Sequence, residues 1–325
     1  MHGMSDAEPR SHLHRLLLAG DLVVTAELQT TDSADPDSVH RLADALHGYV
    51  DAVNCTDNSA AHPHISNVAA ARLLLDRGVE PIVQFTCRDR NRLALQADLL
   101  GAAALGVRNV VMMSGDDVTA GDHPEAKPIY DVDSCHALRI ARIMRDDGTY
   151  LSGRKLTQAP SFLIGAVENP FAPPAEFRPV RLGKKIEAGA EFVQTQIVFN
   201  VARMRGFMAR ASDLGLPEKA FILGSVFVLR SARAARYLRD QVPGVDVPDE
   251  TIRRMEGVPA EAQAEEGIAI ALEIVDELRQ MQGVAGLHLM SINWEAAVPR
   301  VVEGSGLLPR PAAATEGQEP TARGA

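Results

Sequence analysis

Two carboxylates stand where a carboxylate can do chemistry. Glu27 ends the apolar run Val23-Val24-Thr25-Ala26, and Asp116 follows Val110-Val111-Met112-Met113 by way of Ser114 and Gly115. A glutamate between Ala26 and Leu28 points inward, where a functional role or a firm hydrogen-bond partner has to offset its desolvation. Other apolar runs end the same way, on Thr56, on Gln84 with Thr86, on Glu168 with Asn169, on Gln196 and on Asn293. Amides and hydroxyls of this kind both donate and accept hydrogen bonds. Brought together, they would hold a neutral or cationic heterocycle between two acids. Taken singly, each Thr or Asn fits a helix cap or a solvated loop equally well, and Gly115-Asp116 fits a capped turn.

Whether they meet depends on the elements that carry them. Leu22-Val23-Val24-Thr25-Ala26-Glu27-Leu28 reads as a strand, and Asp35-Pro36 opens a helix with Val39, Leu42 and Leu46 on one face. The unit repeats from Ala52, Pro81, Val110, Ser161, Phe192, Phe221 and Gly286, with a long loop through Gly121, Pro124 and Pro128 and an insertion from Val242 to Pro259. Continuous apolar strands alternating with amphipathic helices imply a parallel sheet covered on both faces. Eight such units suit a single (β/α)8 TIM-type barrel, and no dinucleotide-binding glycine fingerprint or P-loop argues for an open sheet. In a barrel the strand C-termini share one mouth, so the polar residues converge there. The barrel is expected over residues 15–308, with flexible tails at 1–14 and 309–325.

Composition narrows the function classes. The 325 residues are 46% hydrophobic and 4% aromatic, enough for a full core. Lys+Arg 33 against Asp+Glu 43 gives a net charge of −10, and no basic run with interleaved aromatics makes nucleic acid an expected partner. Cys55, Cys87 and Cys135 lack metal-ligand spacing and do not suit a disulfide framework, and His62-Pro63-His64 reads as a turn, so no metal site is expected. No signal-peptide pattern or stretch of 18 apolar residues is present, which points to a soluble, cytoplasmic protein without a membrane partner. No nucleophile elbow or paired Cys/His constellation is legible. The residues alone leave the reaction type open.

Across residues 20 to 308 the chain resembles the methylenetetrahydrofolate reductase family in its short, catalytic-domain-only form. Glu27 in Thr25-Ala26-Glu27-Leu28 stands at the family's catalytic glutamate, and Thr56 at its flavin-proximal threonine. Phe85-Thr86-Cys87-Arg88-Asp89 resembles the third-strand signature, and Met113-Ser114-Gly115-Asp116 the family's Leu-Arg-Gly-Asp turn. Lys184-Lys185, Glu187-Ala188-Gly189-Ala190 and Gln194-Thr195-Gln196 keep the family's spacing and form the most specific block.

The resemblance implies reduction of 5,10-methylenetetrahydrofolate to 5-methyltetrahydrofolate by NADH or NADPH through non-covalent FAD. Glu27 would be the general acid, and Asp116 would stabilise the cation and touch the flavin. Glu27, Asp116 and Gln196 would hold the folate. Thr56, Gln84, Met113, Ser114 and Gly115 would border the FAD. Ala166, Asn169, Lys184 and Lys185 would complete its site, with Lys185 on the pyrophosphate. Homo-oligomers and an electron-donating partner protein belong to the same set of expectations. Five positions depart from the family: Thr30-Thr31 replace two prolines, Gln84 a histidine, Ser114 an arginine, and Trp294 the arginine of an Asn-Arg pair, here Asn293-Trp294. Two alternatives of another kind stay open: a folate-dependent methyltransferase or demethylase on the same barrel, and a flavin-independent or partner-dependent reductase. A non-catalytic folate-binding subunit is a third, against which Glu27 argues.

Overall fold

A computed structural model describes residues 8–292 and 294–311; the candidate Asn293, half of the expected N-terminal tail and most of the C-terminal one lie outside the described residues. Eight strands form a closed barrel in sequence order: β1 (Val23–Leu28), β2 (Ala52–Cys55), β3 (Pro81–Thr86), β4 (Asn109–Met113), β5 (Leu163–Glu168), β6 (Phe192–Ile197), β7 (Phe221–Phe227) and β8 (Val284–Met290). Every pairing is parallel. β8 closes the barrel onto β1 with His288 opposite Thr25 and Leu289 opposite Ala26. The chain therefore has the single (β/α)8 architecture that its alternation implies.

The helices between strands are α2 (Asp37–Leu46), α3 (Asn67–Leu75), α4 (Arg92–Ala104), α5 (Ser134–Asp146), α6 (Arg178–Ala188) and α7 (Val201–Asp213). The insertion after β7 is itself helical, giving α8 (Ala232–Gln241), α9 (Asp249–Glu256) and α10 (Gln263–Arg279), and α11 (Ala297–Gly304) follows β8. Side chains that favour caps set several starts: Asn91 accepts from Leu93 and Ala94, Asp133 from His136, Asn200 from Arg203 and Ser231 from Ala234.

Two apolar layers result. One lies between barrel and helices and holds the outward strand residues, among them Ala26, Val53, Phe85, Met112 and Ala166. The other fills the barrel from below with Val23, Ala52, Ile82, Val111, Leu163, Phe192 and Leu223. Phe192 uses the space at Gly165, where an added Cβ would stand 2.4 Å from its ring.

An additional helix, α1 (His12–Ala19), plugs the lower end with Leu13, Leu16 and Leu17, all buried. Glu80 holds it there, its carboxylate accepting from the backbone N–H of His12 at 2.8 Å and of Leu13 at 2.9 Å. At the other terminus Arg310 reaches the buried Asp51 at 2.6 Å and donates to the Leu22 carbonyl. The packed part of the chain thus extends beyond 15–308 on both sides. The amphipathic segment 12–19 is too short for its periodicity to stand out from the polar residues before it. Arg310 sits in a sequence without apolar periodicity, so its anchor is not legible.

Candidate active site

The strand period of two builds the site in layers, since alternate residues face the barrel axis. β1 turns Val23, Thr25 and Glu27 inward, β6 turns Phe192, Gln194 and Gln196 inward, and β2 and β3 contribute Asn54 and Gln84. The lowest layer is apolar. Above it lies a buried polar layer: Asn54 and Gln194 exchange two amide hydrogen bonds, at 2.8 and 3.0 Å. Thr25 Oγ1 meets His288 Nδ1 at 2.9 Å, and Gln194 Nε2 meets the same nitrogen at 3.3 Å. Each of these polar groups has a partner, as burial requires.

The top layer opens into a cavity of about 400 Å3 at the strand C-termini. That is within the range of small-molecule sites, and it lies where barrels of this kind bind ligands. Glu27, Thr56, Gln84, Asp116, Asn169 and Gln196 all line it, together with Met113, Ser114, Gly115 and Lys185. Glu27 receives a hydrogen bond from Gln84 Nε2 on Oε2 at 3.3 Å, and His288 Nε2 stands 3.9 Å from that oxygen. Its side chain is 24% exposed. Gln196 uses its own Oε1 to accept from the Ile197 N–H at 2.9 Å.

Asp116 stands on an exposed turn whose Gly115 has φ 87°, a conformation suited to glycine. Its Oδ2 accepts from the Ala60 N–H at 3.0 Å. The Ala60 segment is strained: Asn58, Ala60 and Ala61 have φ of 49°, 52° and 58°, each costing about 1 to 3 kcal/mol. Arg88 helps hold it. The buried guanidinium pairs with Asp89 at 2.7 Å and donates to the carbonyls of Asn58 at 3.0 Å and Asp116 at 3.2 Å. Burial works against the charge of Asp89, but hydrogen bonds from Arg88 and Asn58 outweigh it and hold the carboxyl below its usual range. Below this clamp, burial pushes the Cys87 thiol up to about 12.

The remaining expected positions divide. Thr56 Oγ1 accepts from the Thr30 backbone N–H at 3.1 Å, a bond that a proline at 30 could not make. Lys185 lines the cavity but is buried, pairing with Glu168 at 2.9 Å and donating to the Val167 carbonyl. Burial lowers its pKa more than Glu168 raises it. Lys184 is exposed on the far side of α6, over the Phe177 ring. Ala166 faces the helix layer, where Val167 takes the inward position. Asn169 donates to the Gly244 carbonyl at 3.1 Å and accepts from Phe171 at 2.9 Å, which ties it into its loop.

Sequence reasoning passed over His288 and Arg181, both at the cavity, and gave Arg88 and Gln194 no role of their own. The signal for Gln194 and His288 was the alternation: each lies two residues below an inward rim position on its strand. Arg181 lies one helical turn before Lys185, where α6 faces inward. Among the described residues no group of three His, Cys, Asp or Glu side chains could hold a metal ion, and no helix is long and apolar enough to cross a membrane.

Comparison with known proteins matches residues 29–306 to the family model described as methylenetetrahydrofolate reductase. A Schizosaccharomyces pombe protein named methylenetetrahydrofolate reductase 2 is 25% identical over 70% of this chain and 36% of its own length. A Caenorhabditis elegans protein named probable methylenetetrahydrofolate reductase (NADPH) is 23% identical over 74% of this chain and 34% of its own. The chain therefore spans about a third of the length of these relatives. In structure it is similar to a Clostridium thermocellum protein that binds two copies of 5-methyl-5,6,7,8-tetrahydrofolic acid, with a TM-score of 0.65, 12% identity, and coverage of 92% of this chain and all of that one. That likeness is one of fold.

Proposed function

The chain belongs to the methylenetetrahydrofolate reductase family, and we propose that it reduces 5,10-methylenetetrahydrofolate to 5-methyltetrahydrofolate with NADH or NADPH as the electron source. The observation that carries this reading is Glu27: an acid set at the axis of the mouth, backed by Gln84 and His288, with Gln196 and Asp116 on the same cavity. The methylene bridge resists hydride until N10 is protonated and the five-membered ring opens to a 5-iminium cation. Glu27 supplies that proton as general acid. Asp116 lends the cation a counter-charge, and Gln196, whose Oε1 is engaged by Ile197, offers its Nε2 to the pterin edge. The cavity wall excludes bulk water from below, because the layer beneath is closed by its own amide pair.

The mouth also suits FAD. An open cavity lined by Gln84, Ser114, Gly115 and Asn169, with Arg181 as a cation on its wall, fits a planar isoalloxazine ring and a pyrophosphate directed toward α6. When bound, FAD relays a hydride between nicotinamide and folate. The second reading is direct transfer from the nicotinamide, favoured by one observation: Lys185, the expected pyrophosphate anchor, is already neutralised by Glu168, and Lys184 points elsewhere.

One experiment separates the two. The purified protein is examined for flavin absorbance, then supplied with NAD(P)H carrying deuterium at the transferred position. Flavin bands with methyl product whose deuterium has exchanged with solvent support FAD. A colourless protein that delivers the deuterium intact supports direct transfer. Absence of 5-methyltetrahydrofolate with either donor removes the reductase reading.

A further inference from the structure

Two nitrogen atoms converge on a single oxygen of Glu27. Gln84 Nε2 donates to Oε2 at 3.3 Å, and His288 Nε2 lies 3.9 Å from the same atom. Among the described residues no hydrogen bond reaches the other oxygen, Oε1. The orientation of His288 is fixed from below. Asn54 and Gln194 lock each other's amides, so the Gln194 nitrogen donates to His288 Nδ1, which Thr25 Oγ1 also meets. A neutral imidazole whose Nδ1 accepts carries its proton on Nε2. That N–H faces Glu27. Thr25 on β1 and Gln194 on β6, which meet His288, are neutral, as is Gln84 on β3, so Glu27 and His288 are the ionisable side chains of the cluster.

We propose that Gln84 and His288 are positioning residues that decide which oxygen of Glu27 carries the proton: the Gln84 hydrogen bond to Oε2, with the His288 N–H edge 3.9 Å from the same atom, leaves Oε1 as the oxygen that gives it up. The inference rests on the reading of Glu27 as the acid. As the Oε1–H bond breaks, the proton passes to N10, the C–N10 pair leaves with N10, and the N5 lone pair forms the C=N bond of the iminium. The charge left on Glu27 settles on an oxygen whose donors are already in place, which needs no reorganisation at the moment of transfer. Gln84, at the position of a family histidine, thus acts on the acid.

The test reads Glu27 directly, in the full chain without folate. Carboxyl titration is followed by NMR on protein carrying 13C in its glutamate side chains, the Glu27 signal being the one absent from Glu27→Gln. A donor to the charged form lowers proton affinity, so Gln84→Met should raise it by about three- to tenfold, and His288→Asn, which removes a more distant N–H, by less. His288→Asn keeps a polar atom near Nδ1 and lacks Nε2, whereas His288→Gln returns an N–H near Nε2 and should restore most of the parent value. In folate reduction Gln84→Met and His288→Asn should both shift the pH dependence of kcat to higher pH with KM for folate nearly unchanged. A Glu27 titration unmoved in Gln84→Met, which preserves volume at the rim, overturns the proposal. A titration that moves as expected while Glu27→Gln reduces folate at full rate removes Glu27 as the acid instead, and with it the proton-delivery role.

Discussion

Glu168 and Lys185 face each other at 2.9 Å with both side chains almost wholly buried. One sits at the end of β5 and the other on α6, so the pair fastens a helix to the barrel wall beside the cavity. Breaking such a pair from one side leaves a buried charge without its partner. Lys185→Ala should therefore destabilise the fold by about 3 to 5 kcal/mol, whereas the double change Glu168→Gln with Lys185→Met should recover most of that. Urea unfolding of the three proteins decides it. A neutral effect of Lys185→Ala would mean that its amine does not compensate Glu168.

The same pair has a pH signature. The Lys185 pKa is lowered in the folded protein, chiefly by burial, so the unfolded chain binds its proton more tightly. That cost is fully present below the lowered folded pKa and is relieved as pH rises past the ordinary value of 10.5. In the window between, the parent should gain stability with pH relative to the variant carrying both Glu168→Gln and Lys185→Met. Denaturation midpoints taken as pH rises toward 10.5 check the sign, and a parent that loses stability relative to that double variant contradicts it.

The plug under the barrel gives a second stability test. Leu16 on α1 is fully buried against the lower barrel layer. Truncation to alanine should cost about 2 to 5 kcal/mol, as for other buried leucines. An effect below about 0.5 kcal/mol, the range of surface substitutions, would detach α1 from the core.

Much of this architecture is visible in the chain before folding is considered. Six of the eight apolar runs, those of β1 to β6, end on polar residues that line the mouth, because a parallel barrel maps strand ends to one face. What was not visible has physical reasons. α1 and Arg310 are held by single long-range acids, Glu80 and Asp51, and no local pattern announces such partners. His288 and Gln194 are buried polar residues inside apolar strands, and their use depends on each other across the barrel. Lys185 was legible as a charge near the site but not as one already matched by Glu168.

Cysteine chemistry probes the mouth from another side. Burial raises the Cys87 thiol to about 12 and pushes Cys55 higher still, while Cys135 is partly accessible. At pH near 8 a maleimide should label Cys135 and spare the other two in the native protein, as peptide mass spectrometry can show. Rapid labelling of Cys87 would mean that the Arg88 clamp above it opens readily.

Asp116 separates charge from turn structure. Asparagine keeps a carbonyl oxygen for the Ala60 N–H, so Asp116→Asn removes the negative charge and leaves the loop tied. If Asp116 stabilises a developing cation, folate reduction should slow by about tenfold or more with NAD(P)H affinity little changed. Equal rates in variant and parent would return Asp116 to the role of a turn residue.

Folate reduction with Glu27 as its acid can be read in an anaerobic single turnover with stoichiometric NAD(P)H and 5,10-methylenetetrahydrofolate, following nicotinamide oxidation and methyl product in the same sample. The parent should form 5-methyltetrahydrofolate equal to the NAD(P)H consumed, and Glu27→Gln should do so at a rate lower by about a hundredfold or more. Nicotinamide oxidised without methyl product, or a Glu27→Gln variant that forms it at the parent rate, would contradict both the activity and the role of Glu27 in it.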